Sequence, residues 1–107
     1  MKHVARKIRG VKEATIELIL VNMVEARGGI CLKITTPGRR GCPDRVAILP
    51  GGRVIWVEVK RPRGGRISPH QREYIRRFNV LGVEVAIVKT EADIVTLLRR
   101  GGDLIMK

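Results

Sequence analysis

A chain of 107 residues, 44% of them hydrophobic, can bury one hydrophobic core. That excludes a second domain and compositional disorder, and no apolar run approaches the ~20 residues that span a bilayer. Twenty-two Lys and Arg against ten Asp and Glu leave a formal charge of +12, beyond the magnitude of about 2–8 that suffices for solubility, so the expected partner is a polyanion, nucleic acid above all.

Residues 1–10 read as a basic arm, and Ile8-Arg9-Gly10-Val11-Lys12-Glu13 carries charges where a signal peptide would need an uninterrupted apolar core. The cytoplasm is therefore the expected compartment, with no membrane involved. Val11 to Arg27 carries Ile16, Leu18, Ile19, Leu20, Val21, Met23 and Val24, a helix with a broad apolar face that Gly28-Gly29 ends. Ile30, Leu32 and Ile34 alternate as a strand, and Pro37 to Gly41 is loop. Arg45 to Leu49, the turn residues Pro50-Gly51-Gly52 and the β-branched run Arg53 to Lys60 form a hairpin. Ser68, Pro69 and Gln71 open a second helix through a capping box, and it ends near Gly82. Val83 to Lys89 is a strand, and Thr90 with Asp93 caps a last helix through Arg100, which leaves 101–107 as a tail beyond Gly101-Gly102. Cys31 and Cys42 form no CxxC pair and suit neither a disulfide framework nor a zinc site. One Phe, one Tyr and one Trp argue against a stacking platform for single strands and put the contacts on phosphates. The order α, β, β, β, α, β, α predicts a layered α/β domain.

The hairpin fixes which side chains share a face. With Pro50, Gly51 and Gly52 as its loop, Leu49 pairs with Arg53 and Asp44 lies opposite Glu58, with Cβ atoms about 4.5–5.5 Å apart. Two facing carboxylates repel unless they share a cation or a proton, and hard oxygen donors select Mg²⁺ or Mn²⁺. Lys60, two residues beyond Glu58, projects from the same face and could hold a hydroxide or a phosphate oxygen.

Gly41-Cys42-Pro43-Asp44 followed by Glu58-Val59-Lys60 resembles the PD-(D/E)xK nuclease signature, and the element order resembles that superfamily's αβββαβ core with a C-terminal helix. The Gly-x-Pro-Asp-Arg, Pro-Gly-Gly, Glu-x-Lys and Ser-Pro-x-Gln motifs together resemble the small stand-alone VRR-Nuc domains, often encoded by phages, over Glu17 to about Leu98. The resemblance implies that Asp44, Glu58 and the backbone carbonyl of Val59 ligate a divalent metal and that Lys60 orients or activates the attacking water. It also implies that Glu17 approaches the metal from the first helix and that Gln71 faces the site. The implied compartment is the cytoplasm of a bacterium or of a phage-infected host cell.

Each assignment has a plainer rival. Glu13 and Glu25 compete with Glu17, and Gln71 is also the capping-box partner of Ser68. Arg45 either touches phosphate or pairs with a neighbouring carboxylate. His3 and His70 are expected to be neither ligands nor bases, Trp56 is expected to pack beneath the first helix, and Cys42 to be a small loop residue. Arg39 and Arg40 before Asp44, Arg61, Arg63 and Arg66 after Lys60, and Arg72 with Arg76 and Arg77 on the second helix flank the site and are expected to track DNA.

The reading that follows is a metal-dependent endodeoxyribonuclease, with branched DNA such as a Holliday junction or a flap as the substrate that the resemblance suggests. The alternative is a non-catalytic basic DNA- or RNA-binding module, and an RNA-directed nuclease stays open because phosphate contacts do not read the 2′-hydroxyl. Symmetric cuts would need a homodimer, for which Leu104-Ile105-Met106 and the apolar Ile94, Val95, Leu97 and Leu98 are the expected surface.

Overall fold

The computed structural model describes residues 10–106, with side chains through Arg99. The expectations for residues 1–9, His3 included, and for the side chains of Leu104, Ile105 and Met106 lie outside the described residues. The elements run α1 (Glu13–Ala26), β1 (Ile30–Lys33), β2 (Arg45–Leu49), β3 (Arg53–Val59), α2 (Pro69–Val80), β4 (Val85–Val88) and α3 (Glu91–Met106). This is the mixed α/β order expected of a PD-(D/E)xK core with a C-terminal helix.

Helix α1 buries Ile16, Leu20 and Val24, spaced four apart and hence on one face. Its end is set by Gly28, whose φ of +85° costs a residue without Cβ little. Gly28 N–H donates to the Glu25 carbonyl and Gly29 N–H to that of Val24, satisfying carbonyls that the last turn leaves open.

The four strands lie in the order β1-β2-β3-β4, with β1, β2 and β3 antiparallel and β4 parallel to β3. Leu49 pairs with Arg53 and Ile48 with Val54, and the ladder continues to Arg45 with Val57, which is the register expected of the Pro50-Gly51-Gly52 loop. Ile55, Val57 and Val59 alternate toward one side, where with Ala47, Leu49 and Val88 they pack against Ile16, Leu20 and Val24 of α1 and Ile94, Leu97 and Leu98 of α3. The opposite face carries Trp56, Glu58 and, past the strand end, Lys60.

Three expectations are corrected. Trp56 does not pack beneath the first helix but under α2, its ring 5.2 Å from that of Phe78; strand alternation puts it opposite the core formed by Ile55 and Val57, and α2 is the element that covers that side. The last helix does not stop at Gly101-Gly102 but runs to Met106, because glycine weakens a helix by about 1 kcal/mol without removing a donor as proline does. Ile94, Leu97 and Leu98 are 0%, 2% and 1% exposed, wedged between α1 and the sheet, so they do not offer surplus apolar surface to a second copy.

A candidate metal and nucleic-acid site

Where β2 begins and β3 ends, the fold collects the chemistry. Asp44 stands one residue before the first ladder pair of the hairpin, exposed, with its backbone carbonyl accepting from Ile34 N–H at 2.8 Å. Glu58 is the only buried charged residue among the described residues, at 7% exposure. Lys60 Nζ lies 3.9 Å from Glu58 Oε2.

Gln71 reaches this centre from the start of α2. Ser68 Oγ accepts from Gln71 N–H at 3.1 Å while Ser68 N–H donates to Gln71 Oε1 at 2.8 Å, a reciprocal cap that holds the first turn. The amide's other end, Nε2, donates to Glu58 Oε2 at 3.2 Å. The two roles expected as rivals for Gln71 are therefore filled by the two ends of one side chain.

Gly41 joins the loop that carries Asp44 to the same turn. Its φ is +86°, and a Cβ there would lie 2.7 Å from the carbonyl carbon and Cβ of His70 and 2.8 Å from Gln71 N. Only a glycine lets the loop and the helix approach so closely, so the two motif segments are set against each other backbone to backbone. His70 enters through this backbone contact, its side chain being exposed.

Burial, opposed by Lys60 and reinforced by the charges of Asp44, Glu13 and Glu17, pushes the Glu58 carboxyl up to about 7. A carboxylate so placed gains from a cation that restores its ionised form. The donors are hard oxygens, a type that suits Mg²⁺ or Mn²⁺, and among the described residues no three His, Cys, Asp or Glu side chains converge on one point.

The first helix presents Glu13 and Glu17 one turn apart, and both act electrostatically on Glu58. Glu17 is held by Arg45, whose Nε and Nη2 donate to Oε2 at 3.0 and 2.8 Å. Of the two readings of Arg45, a phosphate contact or a pair with a neighbouring carboxylate, the structure shows the carboxylate pair. Glu13, lacking such a partner among the described residues, lines a cavity of about 440 Å³ with Lys12, Lys60, Arg61, Arg63 and Arg66. Glu25 is exposed near the far end of the helix. The i, i+4 spacing of Glu13 and Glu17 was the available signal that both face one way.

The arginines expected to flank the site, Arg39, Arg40, Arg61, Arg63, Arg66, Arg72, Arg76 and Arg77, are all exposed; of these, Arg76 pairs with Glu73 at 2.7 Å and Arg77 lies over the Tyr74 ring, 5.7 Å from its centroid. Cys31 and Cys42 are free thiols. No helix of the described residues is long and apolar enough to cross a membrane.

Comparison with known proteins places this geometry in context. A sequence model of the VRR-NUC domain matches residues 1–92. The chain is 44% identical over 85 residues to "Putative nuclease p44" of Acyrthosiphon pisum secondary endosymbiont phage 1, covering 78% of this chain and 89% of that protein. A solved structure described as a VRR_NUC domain superposes with a TM-score of 0.75 at 30% identity, over 84% of this chain and 97% of the other.

Proposed function

The chain belongs to the VRR-NUC family of nucleases, and we propose that it is a divalent-metal-dependent endonuclease of DNA, selective for branched forms such as a Holliday junction or a flap. The observation that carries the reading is Glu58, a buried carboxyl raised to about 7 within reach of the Asp44 charge and with Lys60 3.9 Å away. Asp44, Glu58 and the carbonyl of Val59 would hold Mg²⁺ or Mn²⁺, which when bound supplies Lewis acidity and a lowered pKa for its water. Lys60 adds positive charge at the attacking oxygen and at the scissile phosphate. Gln71 keeps the Glu58 carboxylate oriented, and the ion pair of Glu17 with Arg45 holds that glutamate near the site, where Glu13 is its alternative as an outer ligand. Exposed Arg39, Arg40, Arg61, Arg63, Arg66 and Arg72 would take the phosphates on either side.

One chain supplies one such centre, so paired cuts across a junction would use two copies, with the bacterial or phage-infected cytoplasm as the compartment. The test is a panel of linear, flap and four-way-junction DNAs, with an RNA arm, incubated with Mg²⁺, Mn²⁺ or Ca²⁺. Cleavage should require Mg²⁺ or Mn²⁺, be strongest on branched DNA, and disappear in Asp44→Ala and Glu58→Ala while binding stays near normal. Binding without cleavage by the wild type under every ion would instead identify a non-catalytic module.

A further inference from the structure

The chain's three aromatic residues, Trp56, Tyr74 and Phe78, lie apart in sequence but meet in space. Trp56 and Phe78 pack edge to face with centroids 5.2 Å apart, and Tyr74 meets Phe78 the same way at 6.3 Å. Together with Leu81, Arg39 and Arg77 they line a cavity of about 330 Å³. No acidic side chain is among its lining residues, so the cavity joins apolar rings to cations, and Arg77 already lies against the Tyr74 ring. Its place is equally specific. Trp56 precedes Glu58 by two residues on the same face of β3, about 7 Å along the strand, and Cys42, two residues before Asp44, is also part of the wall.

A volume near the lower end of the roughly 300–1,000 Å³ usual for small-molecule sites suits a single nucleoside and not a duplex. We propose that this cavity holds one unstacked nucleobase of the substrate, from a nucleotide next to the cut, with Arg39 and Arg77 taking the flanking phosphates. The proposal rests on the nuclease reading of the neighbouring carboxylates. Ring stacking accepts any base, so the contact carries no sequence requirement. Extruding a base costs least where pairing is already interrupted, so such a cavity favours branch points and flap junctions over intact duplex.

Trp56 is the sole tryptophan and reports directly on the cavity. A flapped DNA and a set of copies, each with one abasic nucleotide stepped through the junction, are bound to the full chain in Ca²⁺, with anisotropy of labelled DNA giving affinity. Intact DNA should quench Trp56, and an abasic nucleotide at one or two adjacent positions should abolish the quenching and weaken binding about 10-fold. Tyr74→Leu should weaken intact DNA by a similar factor and cause no further weakening on that abasic DNA. Leu81→Ser, at a position 77% exposed and adding no charge to repel the phosphates, should weaken intact DNA in the same direction, again without further weakening on that abasic DNA, if Tyr74→Leu misfolds. Equal affinity and quenching across the whole abasic set would overturn the cavity assignment alone, cleavage being retained. Failure of every DNA to bind would overturn the nuclease reading with it. Trp56 shielded from acrylamide in a free dimer, and unmasked on dissociation, would assign the cavity to a second copy of the chain instead.

Discussion

At Glu58 the fold sets burial against charge. The metal-free protein holds the proton more tightly than the unfolded chain does, with a carboxyl raised from 4.5 to about 7. The stability this contributes is complete below about pH 4.5 and is lost as pH rises through about 7, amounting to at most about 3 kcal/mol. Without metal, the wild type should therefore lose stability relative to Glu58→Gln between about pH 5 and pH 8, and thermal melts of the two at several pH values measure the difference. Mg²⁺ should raise the wild-type melting temperature and leave that of Glu58→Gln unchanged; parallel pH profiles would mean that Glu58 is no more burdened than a surface carboxylate. Gly41 poses a steric question at the same scale. Gly52 has nearly the same φ, +85°, with nothing within 4 Å of a would-be Cβ, so Gly52→Ala measures left-handed strain alone, about 1–2 kcal/mol. Gly41→Ala should cost about 1–3 kcal/mol more through overlap with His70 and Gln71, and should raise the Mg²⁺ concentration for half-maximal cleavage as the first turn of α2 moves. Equal melting temperatures for the two variants would remove Gly41 from the site's framework.

Between elements, the decisive juxtaposition is that of the 61–66 loop with the first turn of α1. Arg61, Arg63 and Arg66 surround a cavity that also contains Lys60, so cations gathered by a glycine-rich loop stand beside the proposed reaction centre. Changing the three arginines together to Ala should weaken binding to all DNA sequences alike, and should flatten the log–log salt dependence by about one unit for each phosphate that an arginine had neutralised. Affinity measured over a range of KCl concentrations decides this, and an unchanged slope would mean that the three face only solvent. Arg45 serves as the comparison: its guanidinium is spent on Glu17, so Arg45→Ala should alter stability more than the salt slope. Calorimetric melting set against the same KCl series separates the two effects.

For the whole molecule, what could be read early were features fixed by near neighbours in the chain. The cap at Ser68, the stop at Gly28-Gly29 and the pairing of Leu49 with Arg53 follow from local hydrogen bonds and from a loop too short to allow another register. The alternation of Glu58 and Lys60 with Val57 and Val59 followed from the pleat, whereas the ladder ends at Arg45 with Val57, one residue short of the expected pairing of Asp44 with Glu58. The amino-acid sequence by itself thus determined the elements, the hairpin register and the shared face of Glu58 and Lys60. Only the tertiary structure decided which helix covers each face of the sheet, since an apolar face is matched by any apolar partner of suitable size. From that single choice come the placement of Trp56 under α2, the meeting of three aromatics that composition seemed to make too few to matter, the pairing of Arg45 with Glu17, and the burial of Ile94, Leu97 and Leu98 within one chain. Each is a contact between segments far apart in sequence, set by packing that no local periodicity encodes.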